Sequence, residues 1–121
     1  MDKFNIKDSH PNISRLEKLF LEEGVLTKFK KNEYLVRQNE KTNQIGFIMS
    51  GMFRLSHIDA DANEWIVGYS FVNDFVCDYP SFKKQATSTV NIQATTECEV
   101  YLLSLNHVCR DIPTLIRLLL R

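Results

Sequence analysis

Hydrophobic residues change their spacing twice along the chain. Ile13, Leu16, Leu19 and Phe20 recur on one face at helical spacing. Ser14 and Glu17 have the spacing of a capping box and Gly24 supplies a stop, so a short amphipathic helix packed on its own domain is predicted there. After Gly24 the period falls to two. Strands are predicted over residues 26–29 and 34–37, with a charged turn at 30–33 and a polar turn at 38–43. The organising stretch is Ile45-Gly46-Phe47-Ile48-Met49-Ser50-Gly51-Met52-Phe53-Arg54-Leu55. Ile45, Phe47 and Met49 share one face, and Phe53, Leu55 and His57 share another. The Ser-Gly break between them predicts a hairpin of consecutive antiparallel strands.

Further on, residues 59–64 form a polar hairpin tip, and Trp65, Val67, Tyr69 and Phe71 alternate onto one face. A short strand at Phe75-Val76 precedes an irregular segment, 77–87, containing Pro80. Val90, Ile92 and Ala94 then alternate against Thr89, Asn91 and Gln93, and residues 99–104 close the series. About eight short strands separated by turns imply an all-β sandwich or roll, which hides its edges by folding on itself. Residues 105–112 form a helical turn and Pro113 opens a new helix. Ile112, Leu115, Ile116 and Leu119 fall at i, i+3, i+4 and i+7, and Leu118 and Leu120 widen the face. So short a helix is marginal alone. Because the pattern runs to Arg121 without a cap, the expectation is a longer helix whose leucines meet a second subunit.

Composition narrows the function classes. A chain of 121 residues is one domain with room for a real core. The formal net charge is zero, so no overall field draws nucleic acid or anionic membrane. The Lys28, Lys30 and Lys31 cluster is a solvated strand end, diluted by Glu33 and Glu40. Cys77, Cys98 and Cys109 are odd in number and irregular in spacing, which fits reduced thiols in a cytoplasmic protein. Neither a signal core nor a run of roughly 20 apolar residues is present.

Candidate chemistry mostly cancels. Asp59, Asp61 and Asn63 match the opening of a calcium loop, but Glu64 replaces the turn Gly and Ser70 the bidentate Glu. His10, His57 and His107 are isolated, so the converging ligands of a cupin-like metal enzyme are missing. There is no phosphate loop and no nucleophile elbow. No metal and no catalytic residue is expected.

The leading helix, the eight-strand roll and the apolar exit helix, in that order, resemble the sensor domain of the Crp/Fnr transcription regulators. Lys31-Asn32-Glu33-Tyr34-Leu35, the Ile45–Leu55 run and Asn73-Asp74-Phe75 carry that resemblance over residues 14–121. It implies a mainly β, jelly-roll-like double-stranded β-helix, with a lead-in at 1–13, the roll at 14–104 and exit helices at 105–121. It also implies a small effector, a homodimer through Leu115, Ile116, Leu118 and Leu119, and DNA binding through a C-terminal helix-turn-helix domain outside this chain. The effector site would lie in the family's phosphate-binding cassette, here Phe75, Cys77, Asp78, Tyr79, Pro80, Ser81, Ser88, Thr89 and Val90.

Members that bind cyclic nucleotides carry a Gly-Glu pair and then an Arg-Ser/Thr-Ala run, in which Glu takes the ribose hydroxyl and Arg the cyclic phosphate. This chain has Cys77-Asp78 and Ser88-Thr89-Val90 instead. Asp78 keeps a carboxylate on a shorter arm, while Ser88 removes the cation that a desolvated phosphate needs. Losing such a partner costs about 2–5 kcal/mol, which argues against cAMP or cGMP as the physiological ligand. Lys83 and Lys84 are possible substitutes on a turn. Cys77 is either a small buried hydrophobe or a redox thiol at the site. Alternatives to the sensor are the metal-dependent enzyme and a ligand-free dimerisation module.

Overall fold

The computed structural model describes residues 13–41, 44–77 and 87–104. The lead-in before Ile13, Asp78 to Ser81, Lys83, Lys84, Cys109 and the exit residues Leu115, Ile116, Leu118 and Leu119 lie outside them.

Among the described residues one helix, α1 (Ile13–Glu23), precedes eight strands: β1 (Val25–Phe29), β2 (Tyr34–Val36), β3 (Gln44–Ser50), β4 (Phe53–Ile58), β5 (Glu64–Ser70), β6 (Phe75–Val76), β7 (Asn91–Ala94) and β8 (Cys98–Ser104). They form two four-stranded antiparallel sheets, ordered β1-β8-β3-β6 and β2-β7-β4-β5. The mainly β roll is therefore as expected.

The apolar stripe of α1 is the reason the helix forms. Leu16, Leu19 and Phe20 are buried, and each large side chain removed from water contributes roughly 1.5–3 kcal/mol. Phe20 packs against Phe75 at 5.4 Å and Phe47 at 6.4 Å between centroids, fixing α1 on the β3–β6 side of the first sheet. Ser14 falls inside the first turn rather than ahead of it. Gly24 ends the helix by donating to the Phe20 carbonyl at 2.9 Å.

The predicted β3–β4 hairpin does not form. Consecutive strands diverge at Gly51, with β3 pairing β8 and β6 while β4 pairs β5 and β7. Gly51 has φ +88°, in the left-handed region that side chains disfavour. The Met52 carbonyl beyond it accepts from the Thr95 amide at 2.9 Å, steering the chain into the second sheet. Because β3 is central and covered on both sides, Ile45, Phe47 and Ile48 are all buried, and Met49 is exposed. Phe29 of the first sheet and Phe53 of the second meet edge to face at 5.5 Å, closing the core between the layers.

β4 and β5 make the true hairpin. A bulge breaks their register, since Leu55 faces Gly68 but Ser56 faces Ile66. The alternation expected for Trp65, Val67, Tyr69 and Phe71 is therefore wrong. Tyr69 pairs with Arg54 and Trp65 with His57, on opposite faces of the sheet.

Asp59 organises the hairpin tip. Its Oδ1 accepts from the Asp61 and Asn63 amides, and its Oδ2 accepts from the Trp65 indole N–H, each at 2.9 Å. These bonds, led by the indole's, hold the carboxyl below its ordinary value of 3.8. A depressed folded value means the linkage is intact above the unfolded pKa and is lost as pH falls through the folded one. Trp65 is the only tryptophan. Its emission is expected to hold steady down to the ordinary carboxylate range and change at lower pH. Asp59→Asn should remove that transition; a transition at or above 3.8, or one surviving in the variant, contradicts the assignment.

Candidate functional site

The segment leading into β7 departs from sheet geometry, and its backbone groups are held by neighbouring loops and side chains. The Ser88 amide donates to the Glu40 carbonyl at 2.7 Å, and the Asn39 amide donates to the Ser88 carbonyl at 2.7 Å. One bridge pairs Lys41 with Thr87. The Gln38 amide donates to Asn91 Oδ1 at 2.8 Å.

The Gln38 side chain substitutes for a strand. Its Oε1 accepts from the Ile58 amide and its Nε2 donates to the Ile58 carbonyl, both at 2.8 Å. β7 pairs with β4 only as far as Ser56–Asn91, and the Gln38 amide supplies the next rung. On the other face of β4, His57 Nδ1 lies 2.8 Å from the Thr89 carbonyl. A carbonyl only accepts, so Nδ1 carries the proton. Gln38 and His57 thus fasten the segment from two sides. Sequence reasoning placed Gln38 in an unpatterned turn and His57 alone on a strand, because contacts across 20 and 32 residues leave no local signal.

The described cassette residues are mostly interior. Phe75 is 1% exposed, its ring 4.9 Å from Phe47, so it is built into the core beneath α1. Cys77 is a buried thiol, as is Cys98, in keeping with the small-hydrophobe alternative. Ser88 is 1% exposed, and its hydroxyl donates to the Val90 carbonyl at 2.7 Å and accepts from the Val90 amide at 3.2 Å. Val90 is buried and Thr89 exposed. Thr87 through Asn91 include no cationic side chain. Asp78, Tyr79, Pro80 and Ser81 fall outside the described residues.

Other candidates are absorbed structurally. Lys28 approaches Glu99 at 3.9 Å and is largely solvated. Glu33 Oε1 accepts from the Lys30 amide, closing the β1–β2 turn. A cleft of about 440 Å³ beside it is lined by Lys28, Asn32, Tyr34 and Arg37, with the Arg37 guanidinium 4.1 Å over the Tyr34 ring. Among the described residues no three His, Cys, Asp or Glu side chains converge to hold a metal. No helix among them is long and apolar enough to cross a membrane.

Residues 26–110 match the family model described as "Cyclic nucleotide-binding domain". No curated protein matches the sequence. Among solved structures, a mutant regulatory subunit of a cAMP-independent protein kinase A from Trypanosoma brucei, bound to cAMP, superposes with TM-score 0.78 at 21% identity, over 97% of this chain and 43% of that one. One of its three substitutions places arginine where threonine stood. The corresponding Trypanosoma cruzi subunit, bound to guanosine, gives 0.70 at 20% identity, over 78% of this chain and 33% of that one. The c-di-GMP-responsive global regulator CLP of Xanthomonas campestris gives 0.73 at 18% identity, over 88% of this chain and 55% of that one. The chain thus spans between a third and about half of these proteins' length.

Proposed function

The chain belongs to the cyclic nucleotide-binding domain family, and from that membership we propose that it is the effector-binding sensor domain of a transcription regulator resembling the Crp/Fnr proteins. Its work is binding, with no chemical step. Residues 14–104 form the roll that receives a small effector, after a lead-in at 1–13. Residues 105–121 begin the segment that pairs with a second copy through Leu115, Ile116, Leu118 and Leu119. DNA is reached through a further domain outside this chain. An effector with different affinities for two arrangements of the dimer shifts their populations and hence DNA affinity. The fold relatives include a regulator of gene expression described as c-di-GMP-responsive, which supports the sensor reading.

The observation that carries the ligand class is Ser88. By its resemblance to the family's pattern it takes the cassette's cation position; it is buried, and its hydroxyl is turned onto the Val90 backbone. An anionic phosphate there would be desolvated without a counter-charge from any described residue between Thr87 and Asn91. The effector is therefore not a classical cyclic mononucleotide. The cAMP-bound trypanosome mutant, with its introduced arginine in a protein described as cAMP-independent, supports the same logic.

Calorimetric titration tests this directly. The native chain should give no heat with cAMP or cGMP at micromolar concentration. Ser88→Arg should raise cAMP affinity at least ~10-fold, since a restored desolvated ion pair contributes about 2–5 kcal/mol. Micromolar cAMP binding by the native chain, left unchanged in Ser88→Arg, would sink the ligand assignment.

A further inference from the structure

The inward face of the second sheet ends in two oriented aromatic rings that the core does not use. Directly opposed residues of an antiparallel pair project to one face. The pairs Phe53–Ser70, Leu55–Gly68 and His57–Trp65 therefore form one column along β4 and β5. Phe53, Leu55 and Ser70 are buried, whereas Trp65 is 59% exposed. A large ring left this open is normally loose, but Trp65 is not. Its indole N–H is held at 2.9 Å by Asp59 Oδ2, and Asp59 is itself fixed by the Asp61 and Asn63 amides. Across the pair, His57 is held by the Thr89 carbonyl of the cassette segment. Both rings are thus anchored by polar edges, and the column leads from the core to the segment that carries Ser88.

We propose that Trp65 is the stacking platform of the effector site, with His57 beside it, and that the effector presents a flat nucleobase-type ring without depending on a phosphate. The inference rests on the sensor reading above and deepens it. An aromatic face already fixed by a hydrogen bond loses little freedom when a second ring stacks on it, so its contribution to affinity is not spent on ordering. Stacking also accepts a neutral ligand, which suits a cassette with Ser88 in place of the family's Arg. The bulge at Val67 is what turns Trp65 to this face, since unbroken alternation would have put it with Tyr69 on the other.

The sole tryptophan makes the test direct. The native chain is titrated with guanosine, adenosine, cAMP and cGMP, followed by Trp65 emission and by calorimetry. At least one nucleoside should quench the emission saturably. Trp65→Leu should weaken its calorimetric affinity about 5- to 100-fold, the range for removing a base–aromatic stack. Trp65→Phe, which keeps an aromatic face but loses the Asp59 hydrogen bond that orients it, should fall between the native chain and Trp65→Leu, and both variants should melt close to the native chain. Absence of nucleoside binding to the native chain overturns the proposal, as does binding unaffected by Trp65→Leu. If either occurs while Ser88→Arg still acquires cAMP affinity, stacking fails and the sensor reading stands. If the native chain binds cAMP at micromolar concentration with its emission unchanged, stacking and the ligand assignment both fail while the sensor reading stands.

Discussion

Phe75→Ala is expected to cost the domain about 3–5 kcal/mol, the range for truncating a fully buried aromatic ring. Phe75 sits at the first position of the cassette, where its family resemblance implies a ligand contact, yet the rings of Phe20 and Phe47 close around it. Truncation would leave a cavity between α1 and β3 that neither element can collapse into, because both are anchored by other buried residues, Leu16 and Ile45 among them. For a domain of this size each kcal/mol moves the melting temperature by roughly 4–8 °C, so the midpoint should fall by well over ~10 °C. Phe75→Leu, which keeps most of the volume, should lose far less. Urea denaturation with an unchanged m value would locate the loss in the native core. If Phe75→Ala melted near the native temperature but altered effector binding, Phe75 would instead belong to the ligand surface.

Gly51→Ala should lower stability by at least ~2 kcal/mol, through two separable causes. The first is backbone strain, since φ is +88°. The second is contact: a Cβ there would lie close to the Glu97 carbonyl oxygen and 2.9 Å from the Cys98 Cα, backbone atoms at the end of the β7–β8 connection and the start of β8. Asn tolerates the left-handed region better than Ala but carries the same Cβ. Gly51→Asn should therefore remain destabilised under urea. Recovery to native stability in the Asn variant would show that strain alone operates and that the connection yields. Gly51 also sets where β4 starts, and thereby where His57 and Trp65 stand, so effector binding should weaken along with stability.

Much of the architecture was legible along the chain because it arises locally. Leu16, Leu19 and Phe20 at helical spacing can bury one face only as a helix, and Gly24 marks its end. The strands at Tyr34, Gln44, Phe53, Cys98 and their neighbours announce themselves by alternation and by the turns between them. The proposed replacement of the family's Arg by Ser88 is likewise a matter of residue type, read by aligning the cassette pattern on Phe75.

Pairing was another matter. Alternation says that a strand has two faces, not which strand lies beside it, so β3 and β4 looked like a hairpin until Gly51 sent them into different sheets. The bulge at Val67 moves half of β5 to the opposite face by inserting one residue, and period-2 reasoning cannot anticipate such a shift. The Gln38–Ile58 rung and the His57–Thr89 contact join residues 20 and 32 positions apart. Sequence by itself determined the class of fold, the helix and the order of strands along the chain, since each depends on residue type and short-range spacing. Tertiary structure alone decided the strand partners, the burial of Phe75 and Ser88, and the meeting of His57, Trp65 and Thr89, because those follow from which surfaces come together when two sheets close over one core.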